Sequence, residues 1–391
     1  MQFEELTKSA LEIIGEKELK DKLAKKEKLR IKHGVDPTTS QLHLGYLVNY
    51  RVMRRFQNEG HTVILLLGDF TGRIGDPTDK IEARQGQTKE ALREKAAKII
   101  EGATRILDKN RLEIRYNSEW WDKIGLDEFL NIAKKVSAAR LWERDMFEKR
   151  IKLGKPVWAH EFLYPILQAY DSVALKSDLT VIGSDQKFNE LLAREMQEEY
   201  EQNPQALIMM PILPGTDGKE KMSQSLNNAI GIDEKPEEIY GKIMSMPDTN
   251  ILTYFGLLTD LPYDELLTLK TEMLSGVRNP RNVKMVLARE IVKMLYSEKE
   301  AGEAEEAFKK VFQRKEVPED ISTVKLTKDD YLIEILINGK LAKSRGDARR
   351  LIDEGAIKVN DKVIDDPMLK IKKSDCPLII KKGKRFFVKV I

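Results

Sequence analysis

Two short stretches of this chain place groups that suit phosphate. In the first, Gly34-Val35-Asp36-Pro37-Thr38 is followed by Leu42-His43-Leu44-Gly45-Tyr46 at the start of an apolar helical stripe. A helix N-terminus offers unpaired backbone N–H groups and the positive end of a dipole. Gly45 lets a nucleotide approach that backbone, and His43 can donate a hydrogen bond to a phosphate oxygen whether neutral or charged. In the second, the loop Gly218–Ser225 (GKEKMSQS) brings together Lys219, Lys221, Ser223 and Ser225. A lysine loop closing over a triphosphate can stabilise the charge that builds up as pyrophosphate leaves. A third set is of another kind. Tyr164, Gln168 and Asp171 stand at i, i+4 and i+7 of a helical segment and share one face, and Gly183-Ser184-Asp185-Gln186 ends an apolar run. The chain has neither a G-x-x-x-x-G-K-[ST] loop nor a G-x-G-x-x-G after a strand, which excludes a P-loop NTPase and an ordinary nicotinamide enzyme.

These groups need a frame. The first half alternates apolar runs, Leu29–Val35, Thr62–Leu67, Leu112–Tyr116, Leu179–Gly183 and Leu207–Leu213, with helical stretches near 44–59, 89–107, 127–139, 161–176 and 186–199. This predicts an α/β fold, a doubly wound parallel sheet with helices on both faces. Ligands in such folds bind at the carboxyl ends of the strands, which points to the loops after Val35, Leu67, Gly183 and Leu213. After about Ile232 only helices are expected, near 236–244, 252–257, 263–273, 279–296 and 300–312. The stretch 314–328 loses periodicity and reads as a linker. A small α+β module follows, with helices near 331–338 and 344–354 and strands near 357–363 and 377–390.

The length, 391 residues, is that of two to three domains. The longest aliphatic run, Val63–Leu67, is far short of the ~18 residues of a membrane span. The acidic N-terminal stretch lacks a secretory signal, and the single Cys376 excludes an intrachain disulfide framework and thiolate-cluster zinc. A cytoplasmic protein is expected. His33, His43, His61 and His160 form no zinc-binding pair, so no protein-held metal cage is expected. The net charge of +3 is unevenly spread. Residues 330–391 carry fifteen Lys and Arg against nine Asp and Glu, a surplus of +6, which leaves −3 for the rest. A basic module beside an acidic body suggests a polyanion partner or a lysine-rich solvated surface.

The paired motifs resemble the HIGH and KMSKS signatures of class I aminoacyl-tRNA synthetases, and the chain as a whole resembles the bacterial tyrosyl-tRNA synthetases. LRIKHGVDPTTSQLHLG, VILLLGDFTGRIGDPT, RYNSEWW, EFLYPILQAYDSVAL, VIGSDQKFNELLARE and GTDGKEKMSQS follow in the family's order. KSRGDARRLIDEGAIKVNDKVIDDP resembles the S-four RNA-binding fold. The resemblance implies a Rossmann-like catalytic domain over 1–232 with a helical insertion at about 118–163. An α-helical anticodon-binding domain over 233–315, a linker over 316–329 and an S-four-like domain over 330–391 would follow. It implies a tyrosine–tRNA ligase that takes L-tyrosine, ATP with magnesium, and tRNA(Tyr), and that forms a homodimer through the insertion. Asp171 would bond the tyrosine phenol. Tyr164, Gln168 and Asp76 would hold the amino group, and Gln186 would lie against the carboxylate. Asp36 and Thr38 would lie near the adenylate and its phosphates. His43, Gly45, Tyr46, Gly183, Asp185, Met222 and Ser223 would bind ATP, and Lys221 would contact the pyrophosphate. Lys343, Arg345, Arg349 and Arg350 would bind RNA.

Three positions depart from the family pattern. Tyr46 stands for the second histidine of HIGH, and Gln224 for the second lysine of KMSKS. Lys32 stands where one bacterial branch has a tyrosine against the substrate phenol. Tyr46 and Gln224 leave open two rival readings, an RNA-binding paralogue with altered catalysis and an adenylating enzyme for another aromatic amino acid.

Overall fold

The computed structural model describes residues 2–75, 87–143, 145–312, 322–360, 362–383 and 386–391. Six strands form the main sheet: β1 (Glu12–Ile14), β2 (Arg30–Val35), β3 (Thr62–Leu67), β4 (Leu112–Tyr116), β5 (Leu179–Gly183) and β6 (Ala206–Met210). Their order is β1-β6-β5-β2-β3-β4. The strands from β2 to β6 pair in parallel. From β2 the chain winds outward through β3 to β4, and from β5 it winds the other way to β6. The order therefore reverses between β2 and β5, where a crevice opens at the carboxyl ends of these strands. Helices on both faces explain why β6 is buried throughout and β3 nearly so.

Two strands depart from the sequence reading. The edge strand β1, antiparallel to β6, was not expected; its three residues are too few to show a period. The strand β6 ends at Met210, before the expected Leu213, because Pro211 has no N–H for the ladder.

The helix Ala159–Leu175 is anchored at its start. Glu161 accepts from the Trp158 backbone N–H (2.8 Å) and makes a buried ion pair with Arg150 (2.6 Å). Its Ile166, Leu167 and Val173 pack with Leu192, Ala193 and Met196 of the helix Lys187–Glu199. The single helix expected at 127–139 is two, Leu126–Ala133 and Ala138–Trp142. Ser137 starts the second by accepting from the Arg140 N–H (3.1 Å).

The described chain divides into two compact units, Met1–Ala301 and Gly302–Ile391. The helices Pro236–Ser245, Ile251–Leu258, Tyr263–Leu274 and Pro280–Leu295 belong to the first. They are fastened to the sheet layer: the Tyr254 hydroxyl donates to the Pro214 carbonyl (2.8 Å), Asn250 donates to that of Gly215 (3.2 Å), and Arg51 of the helix Leu44–Asn58 pairs with Asp260. The helix Glu298–Phe312 spans the boundary between the units.

The second unit has strands β7 (Ser322–Val324), β8 (Asp330–Tyr331), β9 (Ile357–Val359), β10 (Lys362–Val363), β11 (Lys370–Ile371), β12 (Leu378–Lys382) and β13 (Phe386–Val390). Five of them form a sheet in the order β10-β9-β12-β13-β7, and β8 pairs with β11. The helices Leu332–Asn338 and Arg345–Asp353 share a core with Ile357, Ile380 and Val388. Residues expected in the linker 316–329 take part. Strand β7 pairs in parallel with β13, and Leu326 is in the core. A short edge strand whose sequence is Ser-Thr-Val shows no period to read.

Candidate active site

A cleft of about 1090 Å³ opens at the reversal of strand order. Asp36 and Thr38 reach it from the loop after β2, and Tyr164, Gln168 and Asp171 from the helix Ala159–Leu175. Gly183, Asp185 and Gln186 line it from the end of β5. His43, Gly45 and Tyr46 come from the start of the helix Leu44–Asn58, and Lys221, Met222 and Ser223 from the loop after β6. Asp76 lies outside the described residues.

One end of the cleft is a buried polar network. Asp171 is 3% exposed. Its Oδ1 accepts from the indole N–H groups of Trp120 (2.9 Å) and Trp121 (2.8 Å), and its Oδ2 from the Asn117 amide (3.2 Å). Burial pushes its carboxyl up to about 6, against these bonds and the charge of Lys32, which pull it down. Asn117 also donates to the Thr71 hydroxyl (2.9 Å), Thr71 donates to Asp36 (2.7 Å), and the Tyr164 hydroxyl donates to the other Asp36 oxygen (2.9 Å). Gly68 makes room for this chain, since a Cβ there would lie 1.9 Å from Asp36 Oδ1 and 2.3 Å from Thr71 Oγ1. Gln168 donates to Glu190 (2.7 Å) and Gln186 (3.4 Å) and accepts from Asn189 (2.9 Å).

The other end is made of a helix start and an exposed loop. His43 caps the helix Leu44–Asn58, its Nδ1 accepting from the Gly45 N–H (3.2 Å). Burial pushes its ring down to about 4, so it is neutral near pH 7 and the proton it can donate is on Nε2. A Cβ on Gly45 would press on the His43 ring at 2.9 Å. Backbone bonds Leu44 N–H to Ile230 O and Ile232 N–H to Leu42 O, both 3.0 Å, zip this segment to the chain that follows the lysine loop. The loop folds back on itself through Met222 N–H to Leu213 O (2.9 Å), and Asn228 accepts from the Ser223 N–H (2.8 Å). Lys221 Nζ stands 3.9 Å from Asp185. Gln224 donates to the Gln41 carbonyl (2.9 Å), two residues before His43. The Thr38 carbonyl accepts from Gln87 and Lys95, both at 3.1 Å.

Comparison with known proteins gives this arrangement a family. The profile described as "tRNA synthetases class I (W and Y)" matches residues 24–313, and that of the "Tyrosine--tRNA ligase SYY-like C-terminal domain" matches 313–390. The chain is similar to tyrosine–tRNA ligases of Thermotoga maritima (44% identical over 98% of this chain and 96% of that one) and Carboxydothermus hydrogenoformans (44%, over 100% and 97%). The chain belongs to the tyrosyl-tRNA synthetases. A crystal structure of the Archaeoglobus fulgidus tyrosyl-tRNA synthetase complexed with L-tyrosine matches with a TM-score of 0.63 at 26% identity, over 77% of this chain and 98% of that one.

Several residues at the buried end escaped the sequence reading. Asn117, Trp120 and Trp121 lie in RYNSEWW, a stretch that carried the family resemblance without a role. Thr71 lies in the GDFTG stretch and Glu190 four residues after Gln186 of GSDQ, and neither had any further signal. In the second unit, Lys343, Arg345, Arg349 and Arg350 are exposed on or just before one helix. Their charge is partly answered there: Arg345 pairs with Glu334 (2.7 Å), and Arg350 pairs with Asp347 (2.8 Å) and Glu354 (2.9 Å). Among the described residues no helix is long and apolar enough to cross a membrane.

Proposed function

We propose that this protein joins tyrosine to tRNA(Tyr) in two steps within this cleft. First, a carboxylate oxygen of L-tyrosine attacks the α-phosphorus of ATP. The Pα–O bond to pyrophosphate breaks, and its electron pair leaves with the pyrophosphate. Then a terminal ribose hydroxyl of tRNA attacks the carbonyl carbon of tyrosyl-adenylate, and AMP leaves. Catalysis is positioning plus electrostatic stabilisation, with no covalent enzyme intermediate.

The observation that carries this reading is Asp171, a buried carboxylate held by three neutral N–H donors in the wall of the cleft. Its remaining lone pairs suit a phenol O–H. A site built to hydrogen-bond a substrate hydroxyl rejects the analogue that lacks it. The L-tyrosine bound in the archaeal relative supports tyrosine as the amino acid taken. Tyr164, Gln168 and Gln186 would hold the amino acid backbone, and Asp185 the ATP ribose. His43 would donate its Nε2–H to a phosphate, and Lys221 would meet the leaving pyrophosphate. Magnesium would arrive with ATP, held by phosphates and water.

The second unit would hold tRNA through Lys343, Arg345, Arg349 and Arg350, phosphates replacing their acidic partners. The exposed Leu126, Leu130, Trp142, Leu153 and Trp158 of the insertion support a homodimer that covers them. The work would be done in the cytoplasm. Tyrosine-dependent ATP–pyrophosphate exchange with a panel of amino acids tests the reading. Exchange with tyrosine and not with phenylalanine is the expected result; exchange driven equally by phenylalanine would overturn it.

A further inference from the structure

Lys32 lies in the middle of β2 and is 1% exposed. Lysine is almost never buried so fully unless paired. Its ammonium donates to Ser172 Oγ (2.6 Å) and to both Glu190 oxygens (3.0 and 3.1 Å). Ser172 follows Asp171 in the chain, and Glu190 also accepts from Gln168 (2.7 Å) and Gln205 (2.7 Å). Lys32, Glu190, Gln168 and Asp171 all line the cleft. As a stabilising device alone a buried ion pair is a poor choice, because well-packed apolar residues often do as well.

We infer that Lys32 is a positioning residue of the amino-acid pocket: its ammonium, fixed by Glu190 and Ser172, keeps Asp171 in the carboxylate form that accepts the substrate phenol. This rests on the reading of Asp171 as the group that contacts the phenol. The charges around Asp171 support it. Its own hydrogen-bond donors, Asn117, Trp120 and Trp121, are neutral, and Lys32 is the cation whose charge pulls its carboxyl down. The charge of Glu190 is matched by Lys32. Asp36 is engaged by Thr71 and Tyr164, and Asp69 by Arg93 and Ser118. His33, beside Lys32 on β2, is kept neutral because burial lowers its ring. Without Lys32, burial and the unmatched Glu190 both favour a proton on Asp171. Without the Glu190 charge, the ammonium favours the carboxylate more strongly.

The test is the pH dependence of kcat/KM for tyrosine in ATP–pyrophosphate exchange, with the full-length enzyme. The wild-type value should fall as pH drops through about 6, where burial has raised Asp171. In Lys32→Met this acid limb should move up by about one pH unit or more, and in Glu190→Gln it should move down. KM for ATP should change little in either. Lys32→Met leaves Glu190 buried without a cation and can fail to fold. The double variant Lys32→Met/Glu190→Gln removes both charges, and its limb should fall between those of the single variants. A limb that stays at the wild-type pH in Glu190→Gln, or that is no higher in the double variant than in Glu190→Gln, would reduce Lys32 to a structural prop. Asp171→Asn separates the two layers. If it retains wild-type kcat/KM for tyrosine, the phenol reading falls and the inference with it. If it loses that activity while the limb ignores Lys32 and Glu190, the inference alone falls.

Discussion

At one end of the cleft Asp171 is almost fully buried and already has three donors; at the other, Lys221 keeps 41% of its side chain exposed, with the Asp185 carboxylate 3.9 Å from its ammonium. On the function proposed, the two ends face different tasks. Telling a phenol from a phenyl ring needs a polar group whose alternative is to be buried unpaired, so the acceptor must be fixed and dry before substrate arrives. Stabilising a leaving pyrophosphate needs charge near a group that enters and departs, which an exposed lysine supplies. The buried end also carries a stability penalty. The folded-state pKa of Asp171 lies above its ordinary value of 3.8. The folded protein therefore loses stability as pH rises from about 4 through about 6, by about 3 kcal/mol.

The largest effect is expected where burial is greatest. Asp171→Ala leaves the substrate hydroxyl without an acceptor and three N–H groups unpaired. Its kcat/KM for tyrosine should fall by roughly 10³-fold or more, with ATP binding nearly unchanged. Unchanged tyrosine kinetics would break the contrast at its stronger end. Lys221→Ala removes one charge aimed at the transition state. Single-turnover adenylate formation should slow by roughly 10²–10³-fold, about 3–4 kcal/mol, with a smaller change in tyrosine affinity. A slowing below about threefold would mean that the exposed end does no catalytic work.

Sequence pattern and physical structure part company along the same line. The continuous runs of β3 and β6 and the stripe Leu44, Val48, Val52 and Phe56 were legible because a buried element writes its period into the sequence. Strands β1 and β7 were not, since three residues at an edge write none. At the site, Tyr164, Gln168 and Asp171 were legible as one helix face. The groups that hold Asp171 were not. Trp120 and Trp121 reach it from about fifty positions away in the chain, and Lys32 finds Glu190 across 158. Such partners are set by which strands lie side by side, and no local spacing encodes that.

The second unit extends the contrast to a region proposed to take no part in adenylation. Ending the chain at Lys325 would keep β7 without its partner β13, so the break belongs at Phe312, before the undescribed residues. Pyrophosphate exchange by that truncated protein should stay close to the full-length value. Transfer of tyrosine to tRNA should fall roughly tenfold or more at moderate salt, because phosphate contacts that release counterions are lost. Equal charging by both proteins would show that the basic helix is not the tRNA-binding element.

The smallest effect concerns Gln224, which joins the lysine loop to the approach of the capped helix through the Gln41 carbonyl. The bond is neutral and exposed, so it contributes toward the low end of the ~0.5–1.5 kcal/mol of a typical intramolecular hydrogen bond. Gln224→Ala should slow adenylate formation by roughly two- to fivefold and leave KM for tyrosine unchanged, since nothing at the buried end is touched. Gln224→Lys is the sharper variant. A lysine can still donate to the Gln41 carbonyl, and it restores the second cation of the family's KMSKS pattern beside Lys221. The rate should therefore hold or rise. A loss of tenfold or more in Gln224→Lys, with Gln224→Ala mild, would mean that added positive charge harms this loop. The exposed end would then depend on a set charge as strictly as the buried end depends on Asp171.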